Sequence, residues 1–484
     1  MRASRFLVLA AVAEECSGVI SRILTGCKLN TLWENANYAM LTEAEGMDSP
    51  MQSKVTAGPP PEPRTTAETG IRKANLEALA LKIIYLAGPF SLFELSRQMR
   101  LSIEVIDELF ERLRTEQMIA VTGLIGNVPT IAITTQGRAR ALELLTLNQY
   151  SGPAPVSMES YTQRVREQSV RNVEVHAPQV ERAFSHLVMD GKILRQLGTA
   201  LNSGSAIFLY GPTGTGKTTI AETLSKVLAE DLVWIPHAVE VDGQIITVYD
   251  PLVHKQVEKQ PPLTDRRWVL CSRPAVMAGG ELTIEMLDMQ FSPVTKFYAG
   301  PLQMKANNGL LIIDDFGRQR IQPEALLNRW VVPLDRRIDF LTLSGGKTIE
   351  IPFEVLVVFS TNRNPSDVLE DAYLRRVQTK IKIDAVSDEQ FCEIFKRVGM
   401  ENGMECENRV LMELARFIRE VVKEPLRPCY PRDILNQICW EARFEGKTPV
   451  LNQAALMRAL EAYFVMPERG PKPVAPAPPI VARA

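Results

Sequence analysis

One short segment constrains this chain more than anything else in it. Gly-Pro-Thr-Gly-Thr-Gly-Lys-Thr-Thr at 211–219 follows the apolar run Ala206–Tyr210 and leads into Ile220, Leu224, Val227 and Leu228 at helical spacing. A strand, a loop of the form G-x-x-x-x-G-K-[ST] and a helix together make a cradle for phosphates. Gly211, Gly214 and Gly216 let backbone N–H groups close on an anion at a helix N-terminus, where negative charge is favoured. Pro212, Thr213, Thr215 and Thr219 complete the loop. Lys217 is expected to reach the β- and γ-phosphates of a nucleoside triphosphate, and the Thr218 hydroxyl to ligate Mg2+.

Downstream, Leu310–Ile313 is a continuous apolar run, as in a strand buried on both faces of a parallel sheet, and it ends in Asp314-Asp315. A carboxylate beside the loop is where Mg2+ needs its second protein partner, which assigns Asp314 to the metal. Asp315 is then placed to orient or deprotonate an attacking water. An acidic pair after a strand is otherwise a helix cap or a turn; the loop favours the catalytic reading. Val355–Ser360 reads as a further strand, followed by Thr361 and Asn362, whose amide would bond the water or the γ-phosphate. Asp371–Arg376 precedes the strand-like Val377–Ile383, and Tyr430-Pro431-Arg432-Asp433 starts a helix. Taken alone, Arg375, Arg376 and Arg432 are ordinary surface arginines.

In this order the elements resemble the AAA+ ATPases, over roughly residues 179–464. The resemblance implies an α/β fold with a P-loop NTPase αβα core at 183–384 and a C-terminal helical lid at 385–466. It makes Asn362 a sensor, Arg375 or Arg376 an arginine finger and Arg432 a second sensor. It also implies ATP and Mg2+ as ligands and a homo-oligomer, typically a hexameric ring, in which a neighbour's arginine stabilises the transferring phosphoryl group. Ile338–Ile351, two alternating runs around Gly345-Gly346, resembles the hairpin before the first sensor in MoxR-like, RuvB-like and ClpX-like groups, and residues 297–339 most resemble the MoxR type. One position departs from the family: the usual Asp-Glu is Asp-Asp here, so the carboxyl of Asp315 is one methylene shorter.

Residues 71–150 read as a small α+β unit. Helices are expected over 75–87, from Ser91 with Glu94 as a capping box, and over 103–117; strands over 119–122 and 130–134 and a helix over 136–147 follow. That order resembles a winged helix. Its third helix carries Glu104, Asp107, Glu108, Glu111 and Glu116 against Arg112 and Arg114, which phosphates would repel. Residues 1–70 and 467–484 are Pro-rich or low in complexity and are expected to be disordered, and 151–182 to be a linker. The apolar run 6–13 falls short of the ~20 residues of a membrane span. It fits a secretory leader, an N-terminal helix or a chain whose start is Met47 or Met51. The stretch 244–276 is locally basic, with Lys255, Lys259, Arg266, Arg267 and Arg273, and is expected to be a solvated loop or a contact with client or DNA.

The chain holds 55 Lys and Arg against 57 Asp and Glu, a net charge of −2, which excludes a generic polyanion binder. Its seven cysteines show no CxxC pair, so free thiols in a reducing compartment are expected. The leading function is a cytoplasmic ATP hydrolase that remodels or assembles a protein complex, chaperone-like, with an unidentified protein client, no membrane and nucleic acid not favoured. The alternatives are a DNA-associated ATPase or regulator acting through the winged helix, and an ATP-binding switch or scaffold with little turnover.

Overall fold

The computed structural model describes residues 54–464, apart from 126–127, 259, 263, 369–372 and 374. The expectations for residues 1–53, for the tail 467–484 and for Lys259 and Asp371 lie outside the described residues.

Five strands, β1 (Ile207–Tyr210), β2 (Ala275–Ala278), β3 (Leu310–Ile313), β4 (Leu356–Thr361) and β5 (Thr379–Lys382), run parallel in the order β2-β3-β4-β1-β5. Ile207, Leu209, Leu310, Ile312, Leu356 and Val358 pack with Ile220 and Leu224 of the helix Lys217–Leu228 and with Leu197 and Leu201 of the helix Gly191–Ser203. Phe208, Leu311, Ile313, Val357 and Phe359 pack instead with Leu326, Leu327 and Trp330 of the helix Pro323–Arg336. Successive side chains of a strand point to opposite faces. A strand covered on both faces must therefore be apolar at every position, which is why Leu310–Ile313 has no polar break. The sheet is the middle of three layers, and the carboxyl ends of β1, β3 and β4 lie side by side.

The hairpin Ile338–Thr342 and Thr348–Pro352 pairs antiparallel from Ile338↔Pro352 to Thr342↔Thr348. Residues 387–464 form four helices, Asp388–Glu401, Asn408–Phe417, Tyr430–Phe444 and Gln453–Tyr463, around their own core of Phe391, Phe395, Leu414, Ile434, Leu435 and Leu460. Ser387 starts the first with a capping box to Gln390. No helix among the described residues is long and apolar enough to cross a membrane.

Before the core come the helices Lys73–Ala87, Leu92–Met99 and Ile103–Thr115, the strands Ile119–Ile125 and Val128–Ile133, and the helix Thr135–Leu147. Ser91 caps the second helix: its hydroxyl accepts from Glu94 N and its own N–H donates to the Glu94 carboxylate at 2.8 Å. The strands are longer and their turn shorter than the sequence suggests, because Thr130 continues the ladder past a bulge between Val121 and Gly123.

Three stretches differ from expectation. Residues 54–70 are not a free segment. Lys54–Val55 pairs parallel with Asp231–Leu232, Asp265 N donates to Pro60 O, and the Ser102 hydroxyl donates to Pro63 O. Residues 151–182 are not a linker either. They contain the strand Val156–Ser157 and the helices Met158–Glu167 and Ala177–Ala183, with Tyr161 and Val170 buried. The stretch 244–276 is not a solvated basic loop. Its strand Trp268–Ser272 pairs antiparallel with Asp231–Pro236, and Arg267 and Arg273 are buried. Arg267 holds Asp265 at 2.8 Å and donates to Thr69 O and Pro155 O. Arg273 donates to Asp231 Oδ2, Gln168 O, Asn308 O and Thr56 Oγ1. These two cations are engaged inside the protein, and neither is presented to a partner.

Removing one member of such a buried pair leaves the other charge uncompensated. Arg273→Ala is therefore expected to destabilise the fold by about 3–5 kcal/mol, read as a fall in the urea midpoint. Arg273→Ala at the wild-type midpoint would mean that the Asp231 pair contributes nothing.

Candidate functional site

The site is built from the carboxyl ends of the strands, where open parallel sheets place their ligands. β1 runs into the loop 211–216, whose Gly211, Gly214 and Gly216 have φ of 144°, 79° and 86°. These are values that side chains resist and glycine adopts freely. The helix begins at Lys217, so the loop's N–H groups and the helix N-terminus face one space.

Lys217 is nearly buried, and its Nζ donates to Gly211 O at 3.0 Å and Pro212 O at 2.8 Å. Burial holds this ammonium below its usual range, opposed by the charges of Asp315 and then Asp314. One residue on, the Thr218 hydroxyl donates to Asp314 Oδ2 at 2.8 Å, joining the helix start to the end of β3. The loop is tied by Thr215 Oγ1 to Pro212 O at 2.9 Å, and Thr219 O accepts from Thr223 within the helix. From β4, the Asn362 amide donates to Thr213 Oγ1 at 3.3 Å. Thr361 donates to Phe316 O and Phe316 N to Ser360 O, so the turn after β3 is held on the end of β4. Asp315 is exposed in that turn at φ 50°, and Gln319 supports it from behind by donating to Asp314 O at 2.6 Å.

The structure thus brings Lys217, Thr218, Asp314, Asp315 and Asn362 to one place. Arg375 and Arg376 are elsewhere, at the amino end of β5, where Arg376 pairs with Asp335 at 2.9 Å. Arg432 is mostly exposed on the helix Tyr430–Phe444 and lies 3.8 Å from Asp433.

Two residues beside the loop were not singled out by the sequence. A Cβ at Gly214 would fall 2.8 Å from Cys429 Sγ and 3.3 Å from Arg427 Cδ. Arg427 pairs with Glu424 at 2.7 Å, lies over the Tyr430 ring at 5.6 Å, and keeps a buried Nε without a hydrogen bond among the described residues. The helical region therefore touches the loop through the segment before its third helix. Only the Arg-Pro-Cys run marks that segment in the sequence, and this run has no periodicity to point at the loop.

A hydroxyl and a carboxylate are hard oxygen donors, which suits Mg2+ more than a softer metal. Among the described residues no three His, Cys, Asp or Glu side chains converge as a metal site. Mg2+ here would rest on Thr218, Asp314 and oxygens of its ligand.

A family model described as a domain of unknown function, DUF8689, matches residues 387–462. No curated protein matches the chain. The RuvB Holliday junction branch migration motor of Thermotoga maritima is similar at 16% identity over 57% of this chain and 69% of that one, with a TM-score of 0.33. A point mutant of the same RuvB is similar at 14% identity over 61% and 72% of the two chains, also with a TM-score of 0.33. Likeness at this level carries no information about activity, which has to be argued from the chain's own residues.

Proposed function

We propose that this chain is an AAA+-type ATP hydrolase that uses Mg2+ and works as a homo-oligomer, most simply a hexameric ring, to remodel or assemble a protein complex. The observation that carries the reading is the 2.8 Å contact between Thr218 Oγ1 and Asp314 Oδ2, one residue from Lys217 on a glycine loop. No other chemistry so readily explains a lysine, a hydroxyl and two carboxylates gathered at the start of a helix.

In this mechanism the triphosphate lies along the N–H groups of 211–216, and Lys217 leaves the carbonyls of Gly211 and Pro212 for the β- and γ-phosphates. Thr218 and Asp314 hold Mg2+, which neutralises phosphate charge. Asp315 takes the proton of the attacking water as the new O–P bond forms. The bond to the β-phosphate oxygen breaks, and ADP leaves with that electron pair. Asn362 hydrogen-bonds the water or the γ-phosphate. Arg375 and Arg376 act on the nucleotide of a neighbouring copy, and Arg432 reads the bound state from the lid. Arg427 joins this set because it already borders the loop.

The unit at 71–150 is, on this reading, a winged helix that docks protein. Two observations favour protein over DNA. Its third helix exposes Glu104, Asp107, Glu111 and Glu116. Its start is also covered by the chain itself, through Pro63 O on Ser102 and Thr66 on Glu108. All five described cysteines are free, which supports a cytoplasmic setting.

Multiple-turnover phosphate release from ATP with Mg2+ tests the reading. Tight ATP binding without turnover would turn it to a nucleotide-dependent switch, the alternative that the short Asp315 motivates. Steeply salt-dependent duplex binding would restore the DNA-associated alternative.

A further inference from the structure

At the amino ends of β1 and β5 lies a cavity of about 480 Å3 lined by Arg171, Ser205, Asp335, Arg337, Arg375 and Arg376. Its apolar lining is only Ala206 and Leu334, too little to receive a nucleobase. Four guanidinium groups face one lining carboxylate, and Asp335 is already engaged by Arg376 at 2.9 Å.

Two of these arginines are fixed by one residue of backbone. A Cβ at Gly204 would overlap Arg171 Cγ, so the Arg171 stem lies flat on that glycine, which has φ 57°. The carbonyl of the same glycine accepts from Arg337 at 2.5 Å, and Val355 O accepts from Arg337 at 3.0 Å. Arg337 keeps a buried Nε with no hydrogen bond among the described residues. Burial and then the charge of Arg171 hold the Arg337 guanidinium down to about 10, with Glu354 opposing. Like charges fixed together in a partly buried place are unfavourable alone and become favourable around an anion.

We propose that this cavity is a binding site for a phosphate chain, with Arg171 as a phosphate contact beside Arg375 and Arg376, and Arg337 as the cation that positions the field behind them. Planar guanidinium forks match phosphate oxygens in pairs, and the polar walls supply little else. The phosphate cannot come from the chain's own loop. Ser205 and Gly211 stand at opposite ends of β1, six residues and roughly 20 Å apart at 3.3 Å per residue. The chain must be either the nucleotide of a second copy or a free polyphosphate. Only the first source rests on the proposed ATPase.

Two measurements decide. Inorganic tripolyphosphate is titrated by calorimetry into full-length Lys217→Ala, whose own loop is disabled, and into Lys217→Ala/Arg171→Ala. Saturable binding weakened at least tenfold by the second change identifies a free polyphosphate site; Arg171→Glu should weaken it further. Separately, Lys217→Ala and Arg171→Ala chains are mixed. ATP hydrolysis by the mixture above that of either variant alone identifies a second copy's nucleotide as the source. The proposal is overturned if tripolyphosphate binding ignores Arg171 and mixing restores nothing. If the wild-type chain hydrolyses no ATP, the functional reading fails, and the titration alone decides the cavity. Arg171→Ala chains are first shown to melt as the wild type does, which the exposure of Arg171 leads us to expect.

Discussion

Lys217→Ala should abolish nucleotide hydrolysis, at least about a thousandfold in phosphate release, and should remove most of the affinity for ATP in a fluorescent-nucleotide titration. The scale comes from removing a cation aimed at developing charge in a site of low dielectric, where one lost donor costs roughly two to three orders of magnitude. A lost charge-assisted contact in the ground state adds to that. The fold should survive. The ammonium is held below its usual range by burial, so its removal relieves a desolvation cost. It also forfeits two contacts to Gly211 O and Pro212 O, worth about 1 kcal/mol each. These terms oppose, and the melting temperature should move by only a few degrees. A Lys217→Ala chain that still turns over ATP at the wild-type rate would remove the loop from the chemistry and the proposed function with it.

The parts legible in the sequence are those where local chemistry leaves one solution. Leu310–Ile313 has to be a strand covered on both faces, because four successive apolar residues offer no side to water. Thr218 and Asp314 belong together because a loop that holds phosphates needs an oxygen pair for the accompanying cation, and they meet at 2.8 Å. What escaped has no such local signature. Residues 54–70 hold few apolar side chains. They dock through backbone carbonyls such as Pro60 O and Pro63 O and through Thr66 on Glu108, none of which leaves a periodic trace. Arg273 looks like one charge in a basic run. Its partners, Asp231, Gln168, Asn308 and Thr56, are brought from four distant places by the fold. Arg427 and Cys429 reach the loop only because the C-terminal helices pack where they do.

The Asp-Asp pair after β3 has a physical cause that also makes it testable. Asp315 sits at φ 50°, in the left-handed region, where the chain turns from β3 so that Phe316 N can reach Ser360 O. Asp and Asn enter that region more readily than longer side chains, since a short polar group bonds locally there. Glutamate at this position would gain reach toward a water and lose backbone comfort. Asp315→Asn keeps the shape and the left-handed tolerance while removing the base. It should leave ATP binding and the melting temperature unchanged and lower turnover by about a hundredfold or more, the usual worth of a positioned general base. Asp315→Glu should instead lower stability by about 1 kcal/mol, read from the urea midpoint, through the cost of the left-handed turn. Turnover by Asp315→Asn at the wild-type rate would deny Asp315 the proton. An Asp315→Glu chain as stable as the wild type would show that the turn does not dictate the shorter acid.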